Sequence, residues 1–297
     1  MTPGNDAASI HQRLLNKAAA ERKPFNELLQ YFAIERFLYR LGESSHCDQF
    51  VLKGALVFLA WQAPLTRPTR DIDFLGYTNN SVDNLVKIVQ EVCTQPVEVD
   101  GMVFDLKSVQ GEIIKEEADY QGVRVSFLGF LGKAKIHMRL DVGFADVVTP
   151  DPDDLELPTI LDNMSKPCIR SYPPETVVAE KFQAIIALDM INSRMKDFYD
   201  LWFMARSMEF DFHILWEAIS KTFAFRKTVL PNEPLTAFSD QFIAQKQSLW
   251  AAFIRKNQIE DAPKSLADAI QVLKEFLRPM ILPVEQKVSR WSPTTGW

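Results

Sequence analysis

Two aspartates separated by one residue are the first feature of this chain with the spacing of a chemical site. Asp71 and Asp73 lie in Arg70-Asp71-Ile72-Asp73-Phe74, which alternates polar and apolar residues as a strand does. Their carboxylates therefore share one face of the strand and repel each other, with the two Cα atoms about 7 Å apart. Mg²⁺ would relieve the repulsion, because it binds one or two carboxylates together with substrate phosphates, whereas Zn²⁺ prefers His and Cys. A solvated strand end with two charges is the alternative interpretation.

A third aspartate ends a second alternating segment, from Lys133 to Asp141. One side of this predicted strand is apolar, and the other is basic until it reaches Asp141. If the strand adjoins the Asp71 strand, the third carboxylate completes a cage for one or two Mg²⁺ ions, which would clamp the attacking and leaving oxygens of a phosphoryl transfer. The alternative is a sheet with one wet face. The basic side carries Lys133, Lys135, His137 and Arg139.

Two charged segments in the second half of the chain suggest phosphate chemistry. Lys181 follows an apolar stripe and precedes Phe182, so its stem can be buried while its ammonium acts as a point charge for a triphosphate. Asp197 and Asp200, at i and i+3, point to one side of a helix start, where negative charge suits the helix dipole. Surface charge and a helix cap remain the alternative for these segments.

Hydrophobic periodicity predicts a mixed architecture. The closely spaced strands in the middle of the chain favour antiparallel pairing, because parallel neighbours need long crossovers. The Pro- and Asp-rich region 149–174 is typical of a linker, and residues 284–297 are predicted to be loosely ordered. Helices are predicted at residues 6–22, 25–41, 55–62, 81–94 (capped by Ser81), 174–191, 195–207, 211–224, 236–256 and 264–280, and strands around Asp71 and at 102–108, 111–117, 122–130 and 133–143.

Composition restricts the class of protein. The 297 residues carry a net charge of −6, so no global basic field attracts nucleic acid, and any such contact needs a local patch. The three cysteines are far apart and odd in number, which argues against a disulfide framework and a CxxC metal site. The N-terminal residues lack the pattern of a signal peptide, and no stretch approaches 18 apolar residues. We therefore expect a cytoplasmic protein without membrane association.

Four segments occur in the order of a known family: Lys53-Gly54-Ala55 with Arg67–Asp73, then Leu140–Phe144, Ala179–Phe182 and Arg194–Asp200. Over roughly residues 30–280 the chain resembles the AbiEii-type nucleotidyltransferases, toxin halves of bacterial toxin–antitoxin and abortive-infection (phage defence) systems. The resemblance implies an α+β fold, in which a polymerase-β-like nucleotidyltransferase mixed sheet with helices is followed by an α-helical domain, with the active site between them. The expected regions are N-terminal helices packing on the core (1–45), the nucleotidyltransferase domain (46–160), the helical domain (161–283) and a tail (284–297).

The resemblance also implies roles for individual residues. Asp71 and Asp73 match the metal-binding DxD motif, and Asp141 matches the acidic residue of the second motif, a further metal ligand. Lys181 matches the third-motif lysine, expected to contact the phosphates of the nucleotide, and Asp197 matches the essential acid of the fourth motif.

The nucleotide-binding segment is expected at Lys53, Gly54 and Ala55. Gly54 matches the motif-one glycine, where a helix N-terminus can approach phosphate closely. The superfamily commonly places Ser or Gly after this glycine, whereas this chain has Ala55. The substitution removes a hydroxyl that could touch the triphosphate, but the backbone N–H remains.

The expected activity is a Mg²⁺-dependent transfer, with Mn²⁺ as an alternative ion, of a nucleoside monophosphate from an NTP to an acceptor, with release of pyrophosphate. The family points to RNA, in particular tRNA, as the acceptor, and to a cognate antitoxin encoded nearby, with or without a stable complex. Two other classes remain open. A DxD motif also serves nucleotide-sugar glycosyltransferases, and Ala55 is compatible with a module that binds nucleotide without turnover.

Overall fold

The computed structural model describes residues 3–61, 69, 71–115, 121–281 and 289–297; Arg67, Pro68 and Arg70 of the predicted motif lie outside them. The chain forms two compact units. Unit 1 comprises Met1–Ala145 and Asp153–Ser171, and unit 2 comprises Asp146–Pro152 and Tyr172–Trp297. The chain thus passes into unit 2, returns to unit 1 and passes into unit 2 again, where we expected a single boundary at residue 160. The N-terminal helices belong to unit 1.

Unit 1 is built on a seven-stranded mixed sheet. Its strands are β1 (Phe50–Lys53), β2 (Asp71–Gly76), β3 (Met102–Lys115), β4 (Gln121–Leu131), β5 (Ala134–Gly143), β6 (Asp153–Glu156) and β7 (Cys168–Ser171). They are arranged in the order β3-β4-β5-β2-β1-β7-β6. The pairs β2–β5 and β1–β7 are parallel, and the other neighbours are antiparallel. The predicted α+β class and mixed sheet are confirmed.

Two predictions about strands were wrong. The segments 102–108 and 111–117 were expected as separate strands, but they form the single strand β3, whose register shifts between Asp105 and Gln110. Gly111, between the two predicted segments, lies within the strand, where an added Cβ would be 2.6 Å from Val82 Cγ1. The Pro-rich region 149–174 was expected as a linker, but it contains β6 and β7, which extend the sheet. Each of these strands has four residues, too few for an alternating pattern to be recognised between the prolines.

The helices of unit 1 cover the apolar face of the sheet. They are α1 (Pro3–Glu21), α2 (Phe25–Gly42), α3 (Val57–Ala60) and α4 (Val82–Cys93). Phe32 and Phe37 on α2 are fully buried in the core with Phe74 of β2. Ser81 caps α4 as predicted, accepting a hydrogen bond from Asn84 N at 3.3 Å. The helix predicted at 55–62 is instead a 3₁₀ turn, Gly54–Leu56, followed by the four-residue α3.

Unit 2 is helical, as predicted. Its helices are α5 (Pro174–Leu188), α6 (Met195–Ser207), α7 (Phe212–Phe225), α8 (Asp240–Asn257) and α9 (Leu266–Ile281). Two short strands, β8 (Phe210–Asp211) and β9 (Arg290–Trp291), pair antiparallel. Fully buried aromatic residues form much of its interior, namely Phe182, Phe198, Tyr199, Phe210, Phe223, Phe242 and Trp250.

The prediction of a loosely ordered tail at residues 284–297 is wrong for residues 289–297. Trp291 is 4% exposed, and its indole N–H donates to Ala205 O at 2.8 Å. The indole N–H of Trp297 donates to Phe276 O at 2.7 Å. Two tryptophans bury enough apolar surface to order a segment without helical or strand periodicity.

Among the residues that the structure describes, none of the helices has the length and apolar composition needed to span a bilayer.

We expect Trp291→Ala to lower the free energy of unfolding by about 3–5 kcal/mol, because it leaves a cavity and an unpaired carbonyl at Ala205. Urea denaturation followed by circular dichroism measures this change. Trp216→Ala is the matched control, because Trp216 is 37% exposed and should lose less than about 1 kcal/mol. Equal losses for the two variants would show that the C-terminal segment does not stabilise unit 2.

Candidate active site

The predicted carboxylates of unit 1 lie on neighbouring strands. In the parallel pair β2–β5, Asp73 is opposite Asp141 and Asp71 is opposite Arg139. Ile72 and Phe74 are buried while Asp71 and Asp73 are partly exposed, so the two aspartates share the polar face of β2. The alternation on β5 is also as predicted, with His137 and Arg139 exposed on that face. The structure therefore brings Asp71, Asp73 and Asp141 to one face of the sheet.

Asp141 is held by an arginine that the sequence did not reveal. Arg124 of β4 is the cross-strand partner of Asp141, and its Nε and Nη2 donate to the two carboxylate oxygens at 2.7 Å each. The pair is largely shielded, with side-chain exposures of 29% and 15%. These hydrogen bonds raise the pKa of Arg124 despite the opposing effect of burial, and Asp71 and Glu112 add to the increase. The alternation of β4 places Arg124 on the polar face, but only the strand register identifies its partner.

A second arginine accompanies Asp71. Arg139 Nη1 lies 3.4 Å from Asp71 Oδ1, and both side chains are well exposed, at 48% and 41%. This contact is longer and more open to water than the one between Arg124 and Asp141. Exposed ion pairs contribute little to stability and exchange partners readily. Asp71 is therefore the more accessible of these two carboxylates.

Gly54 fits tightly against Asp73. Lys53 pairs with Asp73 across β1 and β2, and the next residue, Gly54, has φ +72°. A Cβ added to Gly54 would lie 2.1 Å from Asp73 Oδ2, so a side chain at this position would displace the carboxylate. Two constraints therefore require glycine at this position: the positive φ angle and the closeness of the Asp73 carboxylate. The adjacent Ala55 is 8% exposed, so its methyl group is directed into the protein.

The chemistry of these ligands fits a hard divalent cation. Mg²⁺ binds through one or two carboxylates and keeps its other positions for water or phosphate oxygens, and Asp71 and Asp73 supply two carboxylates on one face. No cluster of three or more His, Cys, Asp or Glu side chains arranged for a metal ion occurs within the described ranges. Asp141 has both oxygens bonded to Arg124, although each carboxylate oxygen keeps a second lone pair. The arrangement therefore fits an ion on the two carboxylates of Asp71 and Asp73, next to an Asp141 that is bound by Arg124.

In unit 2, Lys181 of α5 binds two carboxylates of α6. Its Nζ lies 3.0 Å from Asp197 Oδ1 and 2.7 Å from Asp200 Oδ2, and Arg194 Nε lies 2.6 Å from Asp197 Oδ2. Asp197 and Asp200 are buried, so the interpretation as surface charge is wrong. Burial raises the pKa of Asp197, but Lys181, Arg194 and Lys196 outweigh it and keep the pKa below its ordinary value. The stem of Lys181 is buried as predicted, since the side chain is 14% exposed.

We expect Gly54→Ala to weaken Mn²⁺ binding by about 10- to 100-fold, because the new methyl group displaces the Asp73 carboxylate. Electron paramagnetic resonance of free Mn²⁺ measures the affinity. Gly132→Ala is the matched control: Gly132 also has a positive φ, +59°, but its added Cβ would meet only Ala7 Cβ at 3.9 Å. Equal Mn²⁺ affinities for the two variants would contradict a role for Gly54 in placing Asp73.

We expect Arg124→Gln to strengthen Mn²⁺ binding roughly fivefold, because it removes a nearby positive charge, worth about 1 kcal/mol, and releases Asp141. The same resonance titration measures this change. Lys135→Gln removes the same charge from an exposed position on the same face and should change the affinity by less than about twofold. Unchanged or weaker binding in Arg124→Gln would show that Arg124 does not compete with a cation for Asp141.

Comparisons with known proteins place this chain in a family. No curated protein matches it. Two crystal structures from Helicobacter pylori are similar at 14% sequence identity. JHP933 aligns over 90% of this chain and 91% of its own with a TM-score of 0.47, and a protein provisionally described as a nucleotidyltransferase aligns over 90% and 94% with a TM-score of 0.43. The family model for the nucleotidyl transferase AbiEii toxin of type IV toxin–antitoxin systems matches residues 36–272, and the chain belongs to this family.

Proposed function

We propose that this protein is a Mg²⁺-dependent nucleotidyltransferase that transfers a nucleoside monophosphate from an NTP to RNA and releases pyrophosphate. The observation that carries the proposal is the placement of Asp71 and Asp73 on the polar face of β2, with the Gly54 backbone directly against Asp73. Membership of the AbiEii family supports nucleotidyl transfer as the reaction type. Mn²⁺ is the alternative ion, because it prefers the same oxygen ligands.

The residues of unit 1 have different roles in the proposed reaction. Asp71 and Asp73 hold the ion, which when bound polarises the α-phosphate and balances charge on the departing pyrophosphate. The Gly54–Ala55 backbone approaches the phosphates closely, because Gly54 lacks a side chain, and Lys53 begins the same segment. Asp141 orients the acceptor hydroxyl and accepts its proton, while Arg124 fixes the carboxylate.

In unit 2, Lys181 is the residue to which the family motifs assign contact with the nucleotide phosphates. Lys181 neutralises the negative charge that develops on the β- and γ-phosphates, the electrostatic contribution that usually dominates phosphoryl transfer. Asp197 and Asp200 hold its ammonium in place, because a carboxylate oxygen of each lies within 3.0 Å of Lys181 Nζ. This assignment follows the motifs of the family.

The acceptor and the biological setting are part of the proposal. The exposed basic side chains of β5, Lys135, His137 and Arg139, form a local RNA-binding face on a chain of net charge −6. We take tRNA as the RNA acceptor, the bacterial cytoplasm as the site of action, and a cognate antitoxin as the factor that counteracts the toxin.

The test is incubation of the protein with each α-³²P-labelled NTP, Mg²⁺ and total RNA, followed by gel electrophoresis. Asp71→Asn and Asp73→Asn should lower incorporation by about 10²-fold or more, because each removes a charged ligand worth several kcal/mol in the transition state. Asp153→Asn makes the same change at an exposed position of β6 and should retain full activity. Chelation by EDTA should abolish labelling, and added Mg²⁺ or Mn²⁺ should restore it.

Three results would overturn the proposal. Full incorporation by Asp71→Asn and Asp73→Asn would remove the assigned site. NTP binding without incorporation into any RNA or protein fraction would instead indicate a binding module, and turnover of UDP- or GDP-sugars in place of NTPs would indicate a glycosyltransferase.

A further inference from the structure

A polar groove of about 520 Å³ lies on the open face of the sheet in unit 1 and reaches Asp71. Its lining includes Asp71, Ser108, Gln110, Ser126, His137 and Arg139. None of the sequence motifs accounts for Ser108, Gln110 or Ser126. The groove therefore adds a set of polar side chains to the site described above.

Strand register explains why these residues meet. Gln110 of β3 is opposite Ser126 of β4, Ser126 is opposite Arg139 of β5, and Arg139 is opposite Asp71 of β2. The four residues form one row across four strands. The groove thus begins at a proposed metal ligand and extends from β2 towards β3.

The sheet order separates the two sides of Asp71 and Asp73. Strand β1, which leads into Gly54 and Ala55, neighbours β2 on one side, and β5, β4 and β3 follow on the other. In phosphoryl transfer the attacking and leaving oxygens are roughly in line, on opposite sides of the phosphorus atom. If the leaving pyrophosphate lies on the Gly54 side, the acceptor hydroxyl must approach from the β5 side, where the groove lies.

We propose that the groove is the acceptor subsite and holds the terminal ribose and one phosphate of an RNA strand. This inference rests on the proposed function and specifies its substrate. It concerns the last nucleotide of the acceptor, whose hydroxyl is brought to Asp71 and Asp73.

The side chains in the groove suit one phosphate, through a guanidinium, and the hydroxyl groups of a ribose, through hydrogen-bonding groups. Arg139 is 48% exposed and contacts Asp71 through Nη1 at 3.4 Å, so other N–H groups of its guanidinium can donate to a phosphate oxygen. Gln110 and Ser126 are exposed side chains that can donate and accept, as ribose hydroxyls require. The Ser108 hydroxyl is already used, because it donates to Asp105 O at 2.6 Å and accepts from Leu128 N at 2.9 Å. Ser108 therefore shapes the wall of the groove.

The test is fluorescence anisotropy with a 5′-fluorescein-labelled pool of random RNA dodecamers bearing a free 3′-hydroxyl. Ser126→Leu and Gln110→Leu should raise the Kd roughly fivefold or more, because leucine fills the groove and removes a hydrogen-bonding group. Gln121→Leu is the matched control, because Gln121 is an exposed glutamine of β4 outside the groove lining. Its Kd should stay within about twofold of the wild-type value. Mn²⁺ affinity and thermal unfolding of each variant, compared with wild type, report whether the neighbouring site and the fold are intact.

Each outcome decides a different claim. Equal Kd values for wild type, Ser126→Leu and Gln110→Leu would overturn the subsite, even if Asp71 proves essential for RNA labelling. Displacement of the RNA by ribose 5-phosphate at equal concentration would overturn RNA as the occupant and indicate a small phosphorylated sugar. If total RNA is not labelled but the groove variants still weaken RNA binding, the transfer reaction fails and the RNA subsite stands.

Discussion

Repulsion between carboxylates on β2 and β5 is the constraint on which the site in unit 1 depends. At an effective dielectric constant near 20, two such charges about 4 Å apart repel by about 4 kcal/mol. The parallel register places Asp73 next to Asp141, and Asp71 follows on the same face. Arg124 lies in the same cross-strand row as Asp73 and Asp141, Arg139 lies in the row of Asp71, and the two arginines offset part of this repulsion. Each of Asp71 and Asp141 on the polar face of the sheet therefore has an arginine as a cross-strand neighbour.

The two units balance their acids in different ways. In unit 2, Lys181 and Arg194 neutralise carboxylates that are almost fully buried, and removal of one partner from such a cluster is strongly destabilising. In unit 1, Asp71 and its partner Arg139 are well exposed, and such contacts exchange readily. The charged side chains of unit 2 are thus held in place by one another, whereas the acids of unit 1 are suited to accepting a cation or substrate.

The order of strands in the sheet places the two proposed substrates on opposite sides of β2. Gly54 brings backbone close to Asp73 from the β1 side, and the polar groove reaches Asp71 from the β5 side. The same strand therefore separates the proposed leaving group from the proposed acceptor. The family match identifies the reaction type, while the arrangement of strands suggests where each substrate binds.

Local periodicity in the sequence was sufficient to predict most helices, the alternating strands and the shared face of Asp71 and Asp73, because each depends on residues close together in the chain. It could not predict that β6 and β7 join the sheet, since their pairing involves partners far away in sequence. The ordered C-terminal segment also escaped prediction, because its two tryptophans acquire a structure only by packing on other helices.

The same distinction applies to the site. The sequence alone determined which acids and which lysine are available, and four ordered motifs were enough to identify the family. Only the tertiary structure decided that Arg124 binds Asp141, that Gly54 must be glycine because of Asp73, and that Gln110 and Ser126 lie in a row with Asp71. The physical reason is strand register, which sets neighbours across a sheet and depends on the pairing of strands and not on the residues of one strand alone.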